Sequence, residues 1–123
     1  MILPLLALVI GITSCKNKQI MDQSTPAGTA ELIFNAARTG DYSRLKEAIA
    51  TTADEDGKMI ASVEADKQLQ ESFKTYFAKG MVNGEPVISG DKAEVKIKFG
   101  PDGKKEETFN MILIDGKWYL ESF

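Results

Sequence analysis

The sequence predicts an α+β domain in which three amino-terminal helices pack on a curved, mainly four-stranded antiparallel sheet. Three observations carry this. Ala93, Val95, Ile97 and Phe99 alternate with Glu94, Lys96 and Lys98, the period of two expected of a strand with one buried face. Two turn signals, Gly100-Pro101-Asp102-Gly103 and Asp115-Gly116, then fold the chain back twice, so that three successive strands share one apolar side. A ribbon of that size is not stable alone in water, and the first half of the chain supplies apolar residues at helical spacing to cover it.

The turns set the register. With Pro101-Asp102-Gly103 as a three-residue loop, Val95 falls opposite Phe109, Ile97 opposite Glu107 and Lys98 opposite Glu106. Counting outward from Asp115-Gly116, Leu113 meets Trp118 and Met111 meets Leu120. The stretch Met81 to Ile88 reads as a first strand, and its Gly84 and Pro86 assign it to an edge or a bulge.

Among the helices, Ser24-Thr25-Pro26 offers a hydroxyl cap and then Pro at the first helical position. Ala30, Ile33, Phe34 and Ala37 come next at helical spacing, up to Gly40. Asp41 is placed to cap a second helix, with Tyr42, Leu45, Ala48 and Ile49 as its buried stripe and Arg44, Lys46 and Glu47 facing water. Thr51 to Lys58 reads as a polar loop. Its Asp54-Glu55-Asp56-Gly57 run lacks the alternating acids and distal glutamate of a calcium loop, so no metal ligand is assigned. Val63 to Lys79 reads as the third helix, with Leu69, Phe73, Tyr76 and Phe77 on one side.

Composition restricts function more than any motif does. The 123 residues carry a net charge of −3, with Lys and Arg scattered among acids, so no basic stripe points to nucleic acid. There is one cysteine, Cys15, and no histidine, which removes intramolecular disulfides, the usual zinc clusters and imidazole-based mechanisms. Ile2 to Ile12 is an apolar run of signal-peptide length that ends in Ile12-Thr13-Ser14-Cys15. No Lys or Arg precedes it, a departure from the export template; a buried amino-terminal strand with a core cysteine is the other reading of the segment. The aliphatic-small-small-Cys ending resembles the lipobox of bacterial lipoproteins. The resemblance implies cleavage before Cys15 and diacylglycerol on its thiol, two or three acyl chains contributing about 0.8 kcal/mol per buried methylene. The expected organisation is a lipoprotein signal peptide over 1–14, the lipid-attachment cysteine and a flexible tether over 15–23, and one folded domain over 24–123. By resemblance to lipoprotein sorting rules, with no Asp after Cys15 and no acidic surface-export run, the expected address is the bacterial outer membrane, facing the periplasm.

Three helices and then an antiparallel meander, with the corner Gly40-Asp41-Tyr42 and the closing hairpin Asp115-Gly116-Lys117-Trp118, resemble the nuclear transport factor 2-like superfamily, with its cystatin-like fold. More narrowly the chain is similar to the small lumazine-binding-like, domain-of-unknown-function lipoproteins of Bacteroidetes. The resemblance runs from about Thr25 to Phe123, and its motifs are structural ones. It implies a cone whose open end forms a pocket, in a superfamily that spans isomerases, dehydratases and pure binding modules.

Three functions are therefore weighed. Enzymes resembling ketosteroid isomerase pair a carboxylate with a phenol or a protonated acid inside the pocket. Here Glu107 is the one acid expected on the apolar face, and Tyr42, Tyr76 and Tyr119 are the available phenols. No second titratable group falls beside Glu107, so no catalytic residue and no cofactor are assigned. A binding domain would use Phe34, Phe73, Phe77 and Phe99, with Phe109, Met111 and Trp118, as pocket lining, unless those residues simply fill the core. An assembly module would use the other face, where Ile112, Ile114, Tyr119 and Phe123 are expected to point outward. A second copy of the chain, a helix of its own, or a register error of one residue each accounts for that cluster. The expectation overall is a lipid-anchored envelope protein with a non-catalytic binding or assembly domain, taking a small apolar ligand or pairing as a homodimer.

Overall fold

Thr25 opens the first helix, its Oγ1 accepting a hydrogen bond from the Gly28 amide at 2.9 Å, with Pro26 just inside. The computed structural model describes residues 21–123, and the apolar run, the lipobox-like motif with Cys15 and most of the leader lie outside the described residues. Helix α1 spans Pro26–Thr39 and ends at Gly40, whose φ of 80° lets its amide close back on the Ala36 carbonyl. Helix α2 spans Glu55–Ala61 and α3 spans Lys67–Phe77, with one-turn 3₁₀ segments at Lys46–Ala48 and Val63–Ala65. The strands are β1 Met81–Val82, β2 Val87–Ser89, β3 Lys92–Phe99, β4 Lys105–Ile114 and β5 Lys117–Ser122. All pair antiparallel in one sheet, β1 and β2 both lying along β3, with β4 and β5 beyond it.

Four elements depart from the sequence expectation. The helix after Gly40 is only the 3₁₀ turn Lys46–Ala48: Asp41 caps a local turn instead, its Oδ1 accepting from the Ser43 amide at 3.2 Å and the Ser43 hydroxyl at 2.7 Å. These bonds hold the Asp41 carboxyl below its usual range, the hydroxyl contact contributing most. Leu45, Ala48 and Ile49 are still buried. The expected polar loop is instead α2, because Asp54 is an N-cap, its Oδ1 taking the Gly57 amide at 2.8 Å. The long third helix begins late because Asp66, inside the expected span, is the N-cap of α3, accepting from the Gln68 and Leu69 amides. The first strand is likewise broken. Asn83 to Pro86 loop out between Val82, which faces Ile97, and Val87, which faces Glu94.

Both hairpins keep the register read from the turns: Val95 faces Phe109, Ile97 faces Glu107, Leu113 faces Trp118 and Met111 faces Leu120. Asp115 and Gly116 both have positive φ, 51° and 81°, the pair of left-handed residues that a tight two-residue hairpin demands. A bulge interrupts the last ladder. Leu120 pairs with Met111, but Ser122 pairs with the adjacent Asn110, leaving Glu121 as the extra residue. Its carboxylate hydrogen-bonds the Lys92 ammonium at 2.9 Å, which holds that lysine above its usual pKa.

The core lies between α1 and the sheet. Phe34, Phe109 and Met111 are fully sealed, and the Phe34 ring stacks on Phe109 with centroids 5.7 Å apart. The open edge of β5 is covered by chain rather than left free. Gln23 accepts the Trp118 amide on its carbonyl at 2.8 Å, and the Leu120 carbonyl takes the Ala50 amide at 2.9 Å. Gln23 therefore corrects the tether boundary: it is buried, and its Nε2 donates to the carbonyls of Glu47 and Trp118, each at 3.1 Å.

Candidate functional site

Helix α3 repeats its apolar residues every three to four positions, so Leu69, Phe73, Tyr76 and Phe77 share one face. Phe73 and Phe77 are buried, their rings stacked 5.0 Å apart. That face does not close fully on the sheet. A half-open hollow of about 200 Å³ remains at the end of the sheet nearest the β3–β4 turn. Helix α2 walls it with Met59 and Ile60, the 3₁₀ turn after it with Val63, and the sheet side with Phe99 and Phe123. The polar residues of its lining are Asp56, Ser72 and Tyr76, all three of them exposed. Met59 and Tyr76 are 50% and 46% exposed, which sets them at the mouth.

Of the residues expected to line a pocket, Phe73, Phe77 and Phe99 do so, whereas Phe34, Phe109, Met111 and Trp118 are core filling. Phe123 changes sides. Counting straight back from Asp115-Gly116 puts it on the outer face, but the bulge at Glu121 shifts the phase by one and turns it inward. There it meets Phe77, Phe99 and Phe109 edge-on, with centroids 5.9, 6.4 and 5.3 Å away. Ile112 and Tyr119 do face each other across β4 and β5 and are half-buried, with Ile114 41% exposed beyond them.

The acids and phenols weighed for catalysis do not converge. Glu107 lies beside Asn83, Lys96, Ile97, Glu106 and Thr108, in a separate shallow depression. Tyr42 packs edge-on against Phe73 at 6.0 Å, and Tyr119 sits on the outer face. The residues that sequence reasoning missed are those of α2. Seven residues are too few to display a helical period, and the run of acids at its start masks Met59 and Ile60. The available signal was Asp54 as a cap with apolar residues after it. Among the described residues no group of three acidic, Cys or His side chains is arranged to hold a metal ion, and no helix is long and apolar enough to cross a membrane.

The architecture, three helices and then an antiparallel sheet wrapped on them, is that of the nuclear transport factor 2-like α+β cone. Among solved structures the chain is similar to a Campylobacter jejuni protein provisionally named an NTF2-like transpeptidase, with a TM-score of 0.50 and 19% sequence identity. The likeness covers 80% of this chain and 98% of that one. At that identity it defines the fold, and transpeptidation is a description of the neighbour alone. No protein-family model matches the sequence, and no curated protein matches it significantly.

Proposed function

We propose that this chain is a lipid-anchored cell-envelope protein whose nuclear transport factor 2-like domain binds an apolar ligand in the hollow beneath α2 and α3 and performs no chemistry on it. One observation carries the reading: a 200 Å³ hollow walled almost wholly by aliphatic and aromatic side chains, with its polar groups confined to the mouth. Pockets for drug-sized ligands run to about 300–1,000 Å³, and an apolar cavity of about 150 Å³ takes a benzene ring. The occupant is therefore a single ring or one hydrocarbon chain.

A pocket enzyme draws on one feature, that Asp56 and Tyr76 border the same hollow. A ketosteroid isomerase-like site keeps its acid and phenol inside the apolar pocket, where burial tunes them. Here Asp56 is exposed and Tyr76 nearly half so, and the volume is too small for a steroid. The experiment is a thermal-shift panel of apolar ligands on the full chain and on Leu69→Trp, which fills the hollow. A ligand that raises the melting temperature of the parent and not of the variant supports binding. Absence of any shift in the parent, or product formation that Tyr76→Phe abolishes, overturns the reading.

Anchoring rests on Ile12-Thr13-Ser14-Cys15 and the apolar run before it. Mass spectrometry of the mature amino-terminal peptide should find acyl chains on Cys15, and Cys15→Ser should release the protein from the outer-membrane fraction. The proposed protein partner is a second copy, docked through Ile112, Tyr119 and Ile114 on the outer face of the sheet.

A further inference from the structure

Positive charge stands next to the Phe99 wall, just outside the residues that line the hollow. Lys105 is the cross-strand partner of Phe99, so both side chains stand on the same face of the sheet, and the Lys105 Nζ lies 5.7 Å from the centre of the Phe99 ring. Lys79 and Lys104 belong to the same end of the fold, because the hairpin tip is fastened to the end of α3. The Gly100 amide donates to the Tyr76 carbonyl at 2.7 Å. Gly103 lies so close to Lys79 that a Cβ added to it would stand 3.1 Å from the Lys79 Cβ. Lys104 sits between Gly103 and Lys105 in the chain. Among the described residues none of Lys79, Lys104 and Lys105 takes part in an ion pair. The nearby acids are otherwise directed: the Asp102 Oδ1 takes the Lys104 amide at 3.0 Å, and Glu106 faces Lys98. Asp56, the one acid bordering the hollow, comes from α2.

We infer that the occupant of the hollow is a free single-chain carboxylic acid, its hydrocarbon tail against Phe73, Phe77, Phe99 and Phe123 and its carboxylate beside Lys105. This deepens the binding function proposed above and rests on it. The hollow holds one short chain and not two, which favours a free acid over a diacyl lipid. Asp56 repels a carboxylate from the α2 side of the mouth and so fixes the orientation of the chain.

Amide chemical-shift titrations of the full chain with octanoic acid and with 1-octanol separate tail from head. Octanoic acid should bind roughly two- to fivefold tighter than the alcohol at low salt, an advantage that shrinks as ionic strength rises. Lys105→Met keeps the stem over Phe99 but removes the charge, so it should bring the acid down to the affinity of the alcohol and leave the alcohol unchanged. Extending hexanoic to octanoic acid should gain roughly fourfold per methylene. Equal affinities of acid and alcohol, or a loss in Lys105→Met that is the same for both, would overturn the carboxylate assignment while leaving the apolar site standing. Binding of neither compound removes both readings. Shifts at Phe99 and Phe123 produced by phosphatidylglycerol vesicles and not by octanoic acid would overturn the free acid as the occupant.

Discussion

Gln23 marks where the polar leader becomes part of the fold. Its side-chain amide donates to two carbonyls, Glu47 and Trp118, and its own carbonyl takes the Trp118 amide, so one residue stitches the leader to β5 and to the turn before α2. In sequence it is one polar residue among several. A hydrophilic run gives no sign of which member finds buried partners, because those partners come from residues 24 and 95 positions away. Gln23→Ala removes both side-chain bonds and leaves the Glu47 carbonyl without its Gln23 donor; Trp118 keeps a donor in the Thr29 hydroxyl at 2.9 Å. The expected loss is about 1–2 kcal/mol, read as a lower urea midpoint at unchanged slope. An unaltered midpoint would restore Gln23 to the tether. Gly80 carries a similar hidden constraint. It reads as a helix terminator, yet an added Cβ would run into the Phe34 ring. Gly80→Ala should therefore destabilise by about 1–3 kcal/mol, and calorimetry should find the melting temperature lowered rather than raised by the stiffer backbone.

At the scale of elements, short-range chemistry set most of what was legible. The two hairpins could be read because turn residues and a period of two fix register within a dozen residues. What an aspartate caps is not fixed by such local patterns. Asp41, Asp54 and Asp66 are alike on paper, yet Asp41 closes a local turn whereas Asp54 and Asp66 start helices. The residues after each aspartate, and the surface they pack against, decide between these outcomes. The bulge at Glu121 was invisible for a related reason: its register shift serves contacts made elsewhere. The Glu121 carbonyl accepts the Asp54 amide at 2.9 Å, tying β5 to the start of α2, and Phe123 gains the aromatic cluster. Phe123→Ala should then cost about 1–3 kcal/mol, less than a fully buried Phe because the ring is half-buried. It should also enlarge the hollow and raise binding of an apolar dye. A change in stability within about 0.5 kcal/mol, the range of an ordinary surface substitution, would return Phe123 to the outer face.

For the whole molecule, the sheet divides two tasks between its faces. The concave side holds core and hollow, and the outer side is mostly charged, with Lys92, Glu94, Lys96, Lys98 and Glu106 along β3 and β4. Loss of Phe123 from the outer face leaves the apolar corner at Ile112, Tyr119 and Ile114, too little by itself for the roughly 1,200–2,000 Å² buried in a stable complex. The lipid proposed on Cys15 would change that balance, because confining copies to one membrane plane raises their effective concentration without any new contact. Pairing through this corner should accordingly be weak in solution and rise with concentration. Sedimentation velocity of the full chain in detergent micelles should find a dimer fraction that grows with protein concentration, and Ile112→Lys with Tyr119→Lys should abolish that growth by setting two charges against the same patch on the partner. Both side chains are half-buried and pack against the margin of the core, so near-ultraviolet circular dichroism that matches the parent is the control that the fold survives the two changes. A parent that remains monomeric across the whole concentration range would leave the outer face a simple solvated surface and assign binding to the concave side alone.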